Sequence, residues 1–318
     1  MIRAGIIGGA GYTGGELIRI LINHPEVELA FVHSRSQAGL PVSELHPDLI
    51  GECQLKFTDV AQFDVEVLFL CMGHGESGKF LAENNLPDKM LVIDLSHDFR
   101  WAPGFTYGLP ELQRETIAHS RRIANPGCFA TAIQLGLLPL AKAQALQDEV
   151  HVHAITGSTG AGQSLTATSH YSWRHNNLSV YKPFQHQHLA EIGQSLLHLQ
   201  PGFAHALNFI PLRGSFTRGI FASLYTYTEM SEPELIQLYQ DYYQDHPFVF
   251  ISPNNPDLKQ VVNTNKAILY LEKHGDKVLI ISLIDNLLKG ASGQAVQNMN
   301  LALGLKETAG LGLKAMAF

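Results

Sequence analysis

Residues 2–7 of this chain form a short, mostly apolar run that stops at a glycine-rich turn, Gly8-Gly9-Ala10-Gly11-Tyr12-Thr13-Gly14. Apolar residues at helical spacing follow at once: Leu17, Ile18, Leu21 and Ile22. Strand, glycine loop and helix in this order is the context that a dinucleotide-binding turn requires, and Gly9-x-Gly11-x-x-Gly14 has its spacing. The glycines permit a tight turn, close approach of a pyrophosphate and close packing of helix on strand. The helix N-terminus then offers N–H groups and positive potential to phosphate. Further strand-like runs come at residues 27–32, 67–71, 90–94 and 122–124, with a helical segment at 77–84. Strands alternating with helices predict a Rossmann-type, doubly wound parallel sheet whose ligand crevice lies at the carboxyl ends of its strands.

The end of the second strand is where a ribose would be read. An acidic residue there accepts the 2′-hydroxyl of NAD, but this chain has His33-Ser34-Arg35-Ser36. Two hydroxyls and a guanidinium suit a 2′-phosphate, for which Arg is the better bidentate partner. An ordinary polar loop is the alternative. The reading favours NADP(H) over NAD.

Composition narrows the class. The 318 residues, 45% hydrophobic and 16% charged, are long for one domain and comfortable for two. A net charge of −7 argues against nucleic acid as an obligate partner. Cys53, Cys71 and Cys128 are too few and too scattered for a disulfide framework or a Cys-x-x-Cys metal site, so no metal is expected. The first residues pass directly into glycines, unlike a signal peptide. No apolar stretch reaches the ~18 residues of a membrane span. A cytoplasmic protein with no membrane partner is the expectation.

Cys128 stands apart from the other cysteines. It follows the turn Asn125-Pro126-Gly127 and opens an apolar run at 129–140 in which Ile133, Leu137 and Leu140 keep helical spacing. A thiol at a helix N-terminus meets unpaired N–H groups and the positive end of the helix dipole, and both favour the nucleophilic thiolate. The competing reading is a small buried hydrophobe. The turn ends the strand at 122–124, as Met72-Gly73-His74-Gly75 and residues 94–100 end theirs. That placement puts Cys128 on the nicotinamide side of the expected crevice and makes it the candidate nucleophile.

In the second half, a strand at Val150–Thr156 leads into Gly157-Ser158-Thr159-Gly160-Ala161-Gly162-Gln163. Such a loop can bring N–H groups to a phosphate or an oxyanion, or can simply connect. His186-Gln187-His188 lacks a third ligand at metal spacing. In the segment after it, Leu189, Ile192, Leu196 and Leu199 share one helix face, and His188 and Glu191 share another at i, i+3. A carboxylate beside an imidazole fixes its tautomer and raises its basicity; an exposed surface pair is the alternative. Residues 220–228 and Lys277–Ile284 read as strands, with Glu232–Tyr243 as an amphipathic helix packed on them. Residues 290–300 open with glycines and become a helix expected to pack back on the first domain. Asn286 and Gly290, just before it, are expected to close over the cofactor.

Taken together these motifs resemble the N-acetyl-gamma-glutamyl-phosphate reductase family, a relative of aspartate-semialdehyde dehydrogenase. The resemblance spans nearly the whole chain. It rests on the glycine loop, on Ile93-Asp94-Leu95-Ser96-His97-Asp98-Phe99-Arg100 and on Tyr107-Gly108-Leu109-Pro110-Glu111-Leu112. Residues 125–131, His186-x-His188-x-x-Glu191-Ile192 and Asp285-Asn286-Leu287-Leu288-Lys289-Gly290 complete the set. It implies an NADP-binding domain at 1–126 plus 291–318 and an α+β catalytic and oligomerisation domain at 127–290. It also implies NADPH as reductant, an acyl-phosphate substrate with release of inorganic phosphate, and a homotetramer or homodimer. Family roles fall on Cys128 as nucleophile, on His188 as acid–base group with Glu191 as partner, and on Gly8, Gly9, Gly11, Tyr12, Thr13 and Gly14 as cofactor loop. Gly160 and Asn286 join Ser34, Arg35 and Ser36 as further cofactor candidates. Arg100, Asn125, Ser158, His186 and Arg213 are the substrate candidates. Arg100 is placed either to clamp phosphate or to pin a loop to the sheet.

The implied reaction is reductive dephosphorylation of an N-acylglutamyl 5-phosphate through a thioester, a step of arginine biosynthesis. A sister activity on aspartyl phosphate and a non-catalytic NADP-binding sensor or scaffold are the other readings. Two acyl groups fit the chain. The family commonly reads Phe-x-Pro-His-Leu where this chain has Phe209-Ile210-Pro211-Leu212-Arg213-Gly214. Gln163 stands where an arginine is frequent, and Lys266 where the family is usually uncharged. These changes fit either drift around an N-acetyl pocket or an N-succinyl group whose carboxylate pairs with arginine.

Overall fold

The structure, a computed structural model, describes residues 1–316. The chain divides into two compact units, Met1–Pro126 with Ala291–Gly312 and Gly127–Gly290 with residues 313–316. Residues 317–318, which the sequence reading assigns to the first domain, lie outside the described residues. Residues 313–316 depart from that reading and belong to the second unit, where Asn263 Nδ2 donates to Lys314 O at 3.1 Å.

In the first unit, β1 (Ile2–Ile7), β2 (Val27–His33), β3 (Phe57–Thr58), β4 (Val67–Leu70), β5 (Leu91–Asp94), β6 (Thr106–Tyr107) and β7 (Arg122–Ala124) form one sheet in the order β3-β2-β1-β4-β5-β7-β6. Every pairing is parallel. The strand order reverses between β1 and β4, the position at which doubly wound sheets open a crevice. Helices α1 (Tyr12–Leu21), α2 (Val42–Leu45), α3 (Glu76–Glu83) and α4 (Pro110–Ala118) connect the strands. The β4 and β5 strands are buried along their whole length, as expected of a sheet covered on both faces.

The second unit opens with α5 (Cys128–Lys142), which is buried almost all round from Phe129 to Ala141. Its sequence is hydrophobic on every side, so it is a core helix rather than a surface one. Pro139 has no N–H to offer Leu135 O. The Tyr243 hydroxyl donates to that carbonyl at 2.5 Å, and Tyr239 does the same to Gly136 O. Around α5 run β8 (Val150–Thr156), α6 (Tyr171–Arg174), β9 (Ser179–Val180), α7 (His188–Leu199), β10 (Leu207–Arg213), β11 (Ile220–Tyr227), α8 (Glu232–Tyr243), β12 (Val249–Ile251), β13 (Ala267–His274) and β14 (Lys277–Ile284).

The strands make a mixed sheet in the order β12-β13-β14-β11-β8-β10-β9. Helices α5 and α8 lie on this sheet and α7 packs on α5. Along β11, Ile220, Ala222, Leu224 and Thr226 are buried, while Tyr225 and Tyr227 are exposed on the other face. The last helix, α9 (Gly293–Ala302), packs on α1, α4 and β5 in the first unit. It buries polar side chains: Asn298 Nδ2 donates to Gly108 O at 2.8 Å, and Asn300 Nδ2 to Glu307 O and Ala309 O.

Candidate active site

Each unit carries one chemically equipped cluster. In the first, the glycine loop joins β1 to α1 at the strand-order reversal. Gly8 has φ +82°, and a Cβ on it would lie 2.7 Å from Cys71 O. A Cβ on Gly9 would collide with Val32, and one on Gly14 would stand 2.6 Å from the Gly9 backbone. These three are close-approach glycines. Gly11 differs, because a Cβ there would meet nothing within 4 Å. The protein leaves that side of the turn open, directly before the first helical residue, Tyr12.

The loop is braced from beneath. The N–H groups of Gly8 and Gly9 donate to His33 O, and the buried His46 Nε2 bonds Gly9 O at 2.9 Å. His46 was not legible in the sequence; it lies in a loop segment with no motif of its own. Thr13 sends its hydroxyl toward the Cys71 thiol, whose pKa burial pushes up to about 12. Cys71 is therefore an inert thiol. A tight turn that is open at Gly11 and leads into a helix N-terminus fits a dinucleotide pyrophosphate. Just past β2, Arg35 and Ser36 are exposed, and Ser34 Oγ lies 3.5 Å from Ser36 Oγ.

Two substrate candidates in this unit are engaged internally. Arg100 Nε donates to Asn125 O at 2.9 Å, so it pins the loop before α5. Asn125 is 1% exposed and its Nδ2 donates to Ala291 O, while its Oδ1 accepts from Asn298. Its side chain is a structural brace rather than a group open to substrate.

The second cluster surrounds Cys128, the first residue of α5, with Gly127 as N-cap. A Cβ on Gly127 would collide with the His188 imidazole, and a Cβ on Gly290 would stand 2.8 Å from Cys128 Cβ. Both glycines let neighbours press on the nucleophile's backbone, and neither role was visible from sequence. His188 and Glu191 are buried, at 8% and 5% exposure. That removes the surface-pair reading.

Glu191 stands beside the His188 ring, as expected, and also serves a second neighbour. Glu191 Oε1 lies 3.8 Å from His188 Nε2, too far for a hydrogen bond, whereas Oε2 accepts from Gly127 N at 3.0 Å. Glu191 thus ties α7 to the start of α5. His186 sits among Phe129, Phe209 and Tyr181, and its Nδ1 accepts from His188 N at 3.2 Å. Burial, then the charges of Lys182 and Arg213, hold its pKa down at about 4. Arg213 lies over the Tyr181 ring, 4.6 Å from its centroid. Tyr181 and Lys182 are residues of this cluster that no sequence motif marked.

The N–H groups of Gly157, Ser158, Thr159, Gly160 and Gly162 all donate to protein carbonyls, several of them in the facing 216–219 turn. Asn286 closes the same knot, accepting from Gly219 N at 2.7 Å and donating to Thr159 Oγ1 at 3.0 Å. The Gly160 N–H and the Asn286 side chain are thus engaged within this knot, while Gly160 itself stays exposed. Lys266 lies over the Phe250 ring, and Gln163 is exposed. No group of three or more His, Cys, Asp or Glu side chains among the described residues is placed to hold a metal. No helix among them is long and apolar enough to cross a membrane.

Fold and clusters together define the semialdehyde dehydrogenase class of oxidoreductases. The family model for a semialdehyde dehydrogenase NAD binding domain matches residues 3–120, and that for a semialdehyde dehydrogenase dimerisation domain matches 128–286. Aspartate semialdehyde dehydrogenase II from Vibrio cholerae, solved with ASA, superposes with a TM-score of 0.76 at 16% identity over 96% of this chain and 98% of that one. The Candida albicans enzyme, solved with NADP, gives 0.70 at 12% identity over 95% and 98%. Sequence relatives are nearer. Proteins named N-acetyl-gamma-glutamyl-phosphate reductase from Phocaeicola vulgatus and Bacteroides fragilis are 58% identical to this chain, and one from Flavobacterium johnsoniae is 55% identical, each over the full length of both chains. The chain belongs to the N-acetyl-gamma-glutamyl-phosphate reductase family.

Proposed function

We propose that this enzyme reduces an N-acyl-L-glutamyl 5-phosphate to the N-acyl-L-glutamate 5-semialdehyde through a thioester on Cys128. The observation that carries the reading is the seat of Cys128: first residue of a buried helix, with the His188 ring packed on the residue before it. The Cys128 thiol gives its proton to His188, and the thiolate attacks the acyl carbon. The carbon–oxygen bond to phosphate breaks with its electron pair, leaving the thioester, and the His188 proton leaves with phosphate. A good leaving group departs, and the thioester stays open to reduction. A nicotinamide cofactor, when bound, would supply the hydride that the thioester carbon takes up. The resulting oxyanion re-forms its carbonyl and breaks the carbon–sulfur bond, releasing aldehyde and thiolate, and solvent restores the thiol proton. His188 suits proton transfer because imidazole is the side chain matched to neutral pH.

NADPH is the reductant in this proposal, supported by Ser34, Arg35 and Ser36 at the end of β2 in place of an acidic residue. The relatives' name points to an N-acetyl substrate, and Arg213 beside Tyr181 keeps an N-succinyl substrate as the second reading. The working form is a homodimer or homotetramer joined through the outer face of the second sheet. There Tyr225 and Tyr227 are exposed beside the partly buried Phe221, Ile268, Tyr270 and Leu279.

Stopped flow tests the chemistry. Mixing acyl phosphate with enzyme in the absence of reductant should release a burst of one phosphate per active subunit, and Cys128→Ser should abolish both burst and turnover. Turnover retained in Cys128→Ser would end the thioester mechanism. Run with N-acetyl and N-succinyl substrates, the same assay decides the acyl group. A succinyl preference that Arg213→Leu removes would establish the second reading.

A further inference from the structure

Gly290 touches the nucleophile. It lies in a π-turn, Leu288–Ser292, where its N–H donates to Asp285 O at 2.9 Å. A Cβ placed on it would stand 2.8 Å from Cys128 Cβ and 3.2 Å from Cys128 Cα. Only glycine lets two backbones meet this closely. A π-turn carries one residue more than an α-turn and gathers at functional sites, where it re-aims neighbouring groups.

This turn is held firmly. The fully buried Asp285 carboxylate accepts from Leu287 N, Leu288 N and Asn263 N at 2.8, 3.1 and 2.7 Å. Arg218 grips the same carboxylate with Nε and Nη2, both at 3.1 Å. The bidentate fork fixes orientation as well as charge. The backbone of Asp285 in turn holds Gly290.

We infer that Gly290 is a positioning residue for Cys128, its bare Cα forming the wall against which the first residue of α5 is seated, with the Arg218–Asp285 pair fixing that wall. The inference rests on Cys128 being the nucleophile. A misplacement near 1 Å costs about 10²-fold in rate when a reacting atom is involved. A side chain at 290 therefore acts on the chemical step more than on binding.

Gly290→Ala should bind NADPH as the unsubstituted enzyme does, lose about 10²-fold in kcat with KM changed little, and shift the pH profile of Cys128 alkylation by iodoacetamide. A glycine with a merely structural role would lower Tm and leave that profile in place. Arg218→Lys, which keeps the charge but loses the fork, should move kcat and the alkylation profile in the same direction by less, and Arg218→Met by more. The inference is overturned if Gly290→Ala keeps normal kcat and profile or, where that variant does not fold, if Arg218→Lys does so. Turnover in Cys128→Ser would instead remove the reading beneath it, so the two failures are distinguishable.

Discussion

His186 and His188 are the same side chain two residues apart, and the protein sets them to different tasks. His188 lies against Gly127, next to the nucleophile. His186 stands in an aromatic box, accepts a hydrogen bond from the His188 backbone and is held neutral by burial and by two nearby cations. An imidazole with a pKa of about 4 is neutral at neutral pH, with no proton to spare, and is a poor acid–base group there. We therefore expect His188→Asn to lower kcat by about 10²–10⁴-fold and His186→Asn to change it little.

His186 has a second signature. Its pKa falls from the ordinary 6.5 to about 4 on folding, so between those values the unfolded chain binds a proton that the folded chain does not. Stability from this group is complete above pH 6.5 and is lost as pH drops toward 4. Denaturant titrations across that window should show a shallower acid loss in His186→Asn. If His186→Asn is the variant with crippled kcat, the two assignments are reversed.

At the scale of elements, the glycine loop and the end of β2 belong to one device. The N–H groups of Gly8 and Gly9 bond His33 O, so the turn after β1 is fastened to the last residue of β2. The residues that follow, Ser34 to Ser36, are thereby held at a fixed distance from the loop. Arg35→Ala should raise KM for NADPH by roughly ten- to a hundredfold, the size of a lost charge-assisted contact, and leave KM for NADH nearly unchanged. Equal kcat/KM with the two reductants in the unsubstituted enzyme would show that this turn does not read the 2′-phosphate. A similar economy appears in α5, where Pro139 deprives Leu135 O of its helical donor and Tyr243 from α8 restores one.

At the scale of the molecule, the second sheet is covered on one face by helices and presents tyrosines on the other. A twofold contact through that face is isologous, so each substitution enters it twice. Replacing Tyr225 and Tyr227 by Glu sets like charges against one another across the contact. Sedimentation should then report the 35.0 kDa monomer with far-UV circular dichroism preserved. An unchanged assembly mass would move the contact to another surface.

Much of this was legible in the chain itself. The strand at Ile2–Ile7, the turn after it, the helix from Cys128 and the strands Val150–Thr156 and Lys277–Ile284 are written in local periodicity and glycine placement, which act within a few residues. So is the chemistry of a thiol at a helix start. The short edge strands β3 and β6 and the strand β13 left no clear mark, because their pairing comes from distant partners rather than from local pattern.

The environment of each site residue was likewise beyond local reading. Spacing puts Glu191 beside His188, yet only the packing of α7 on α5 brings its second carboxylate oxygen to Gly127 N–H. The family resemblance makes Arg100, Asn125 and Asn286 site candidates, and each is engaged by backbone or side chains from elsewhere in its own unit. The chain by itself determined which elements form and which side chains carry chemistry, since those follow from residues near in sequence. Tertiary structure alone decided which of those side chains stay open for chemistry, because burial and hydrogen-bond partners are set by residues tens to hundreds of positions away.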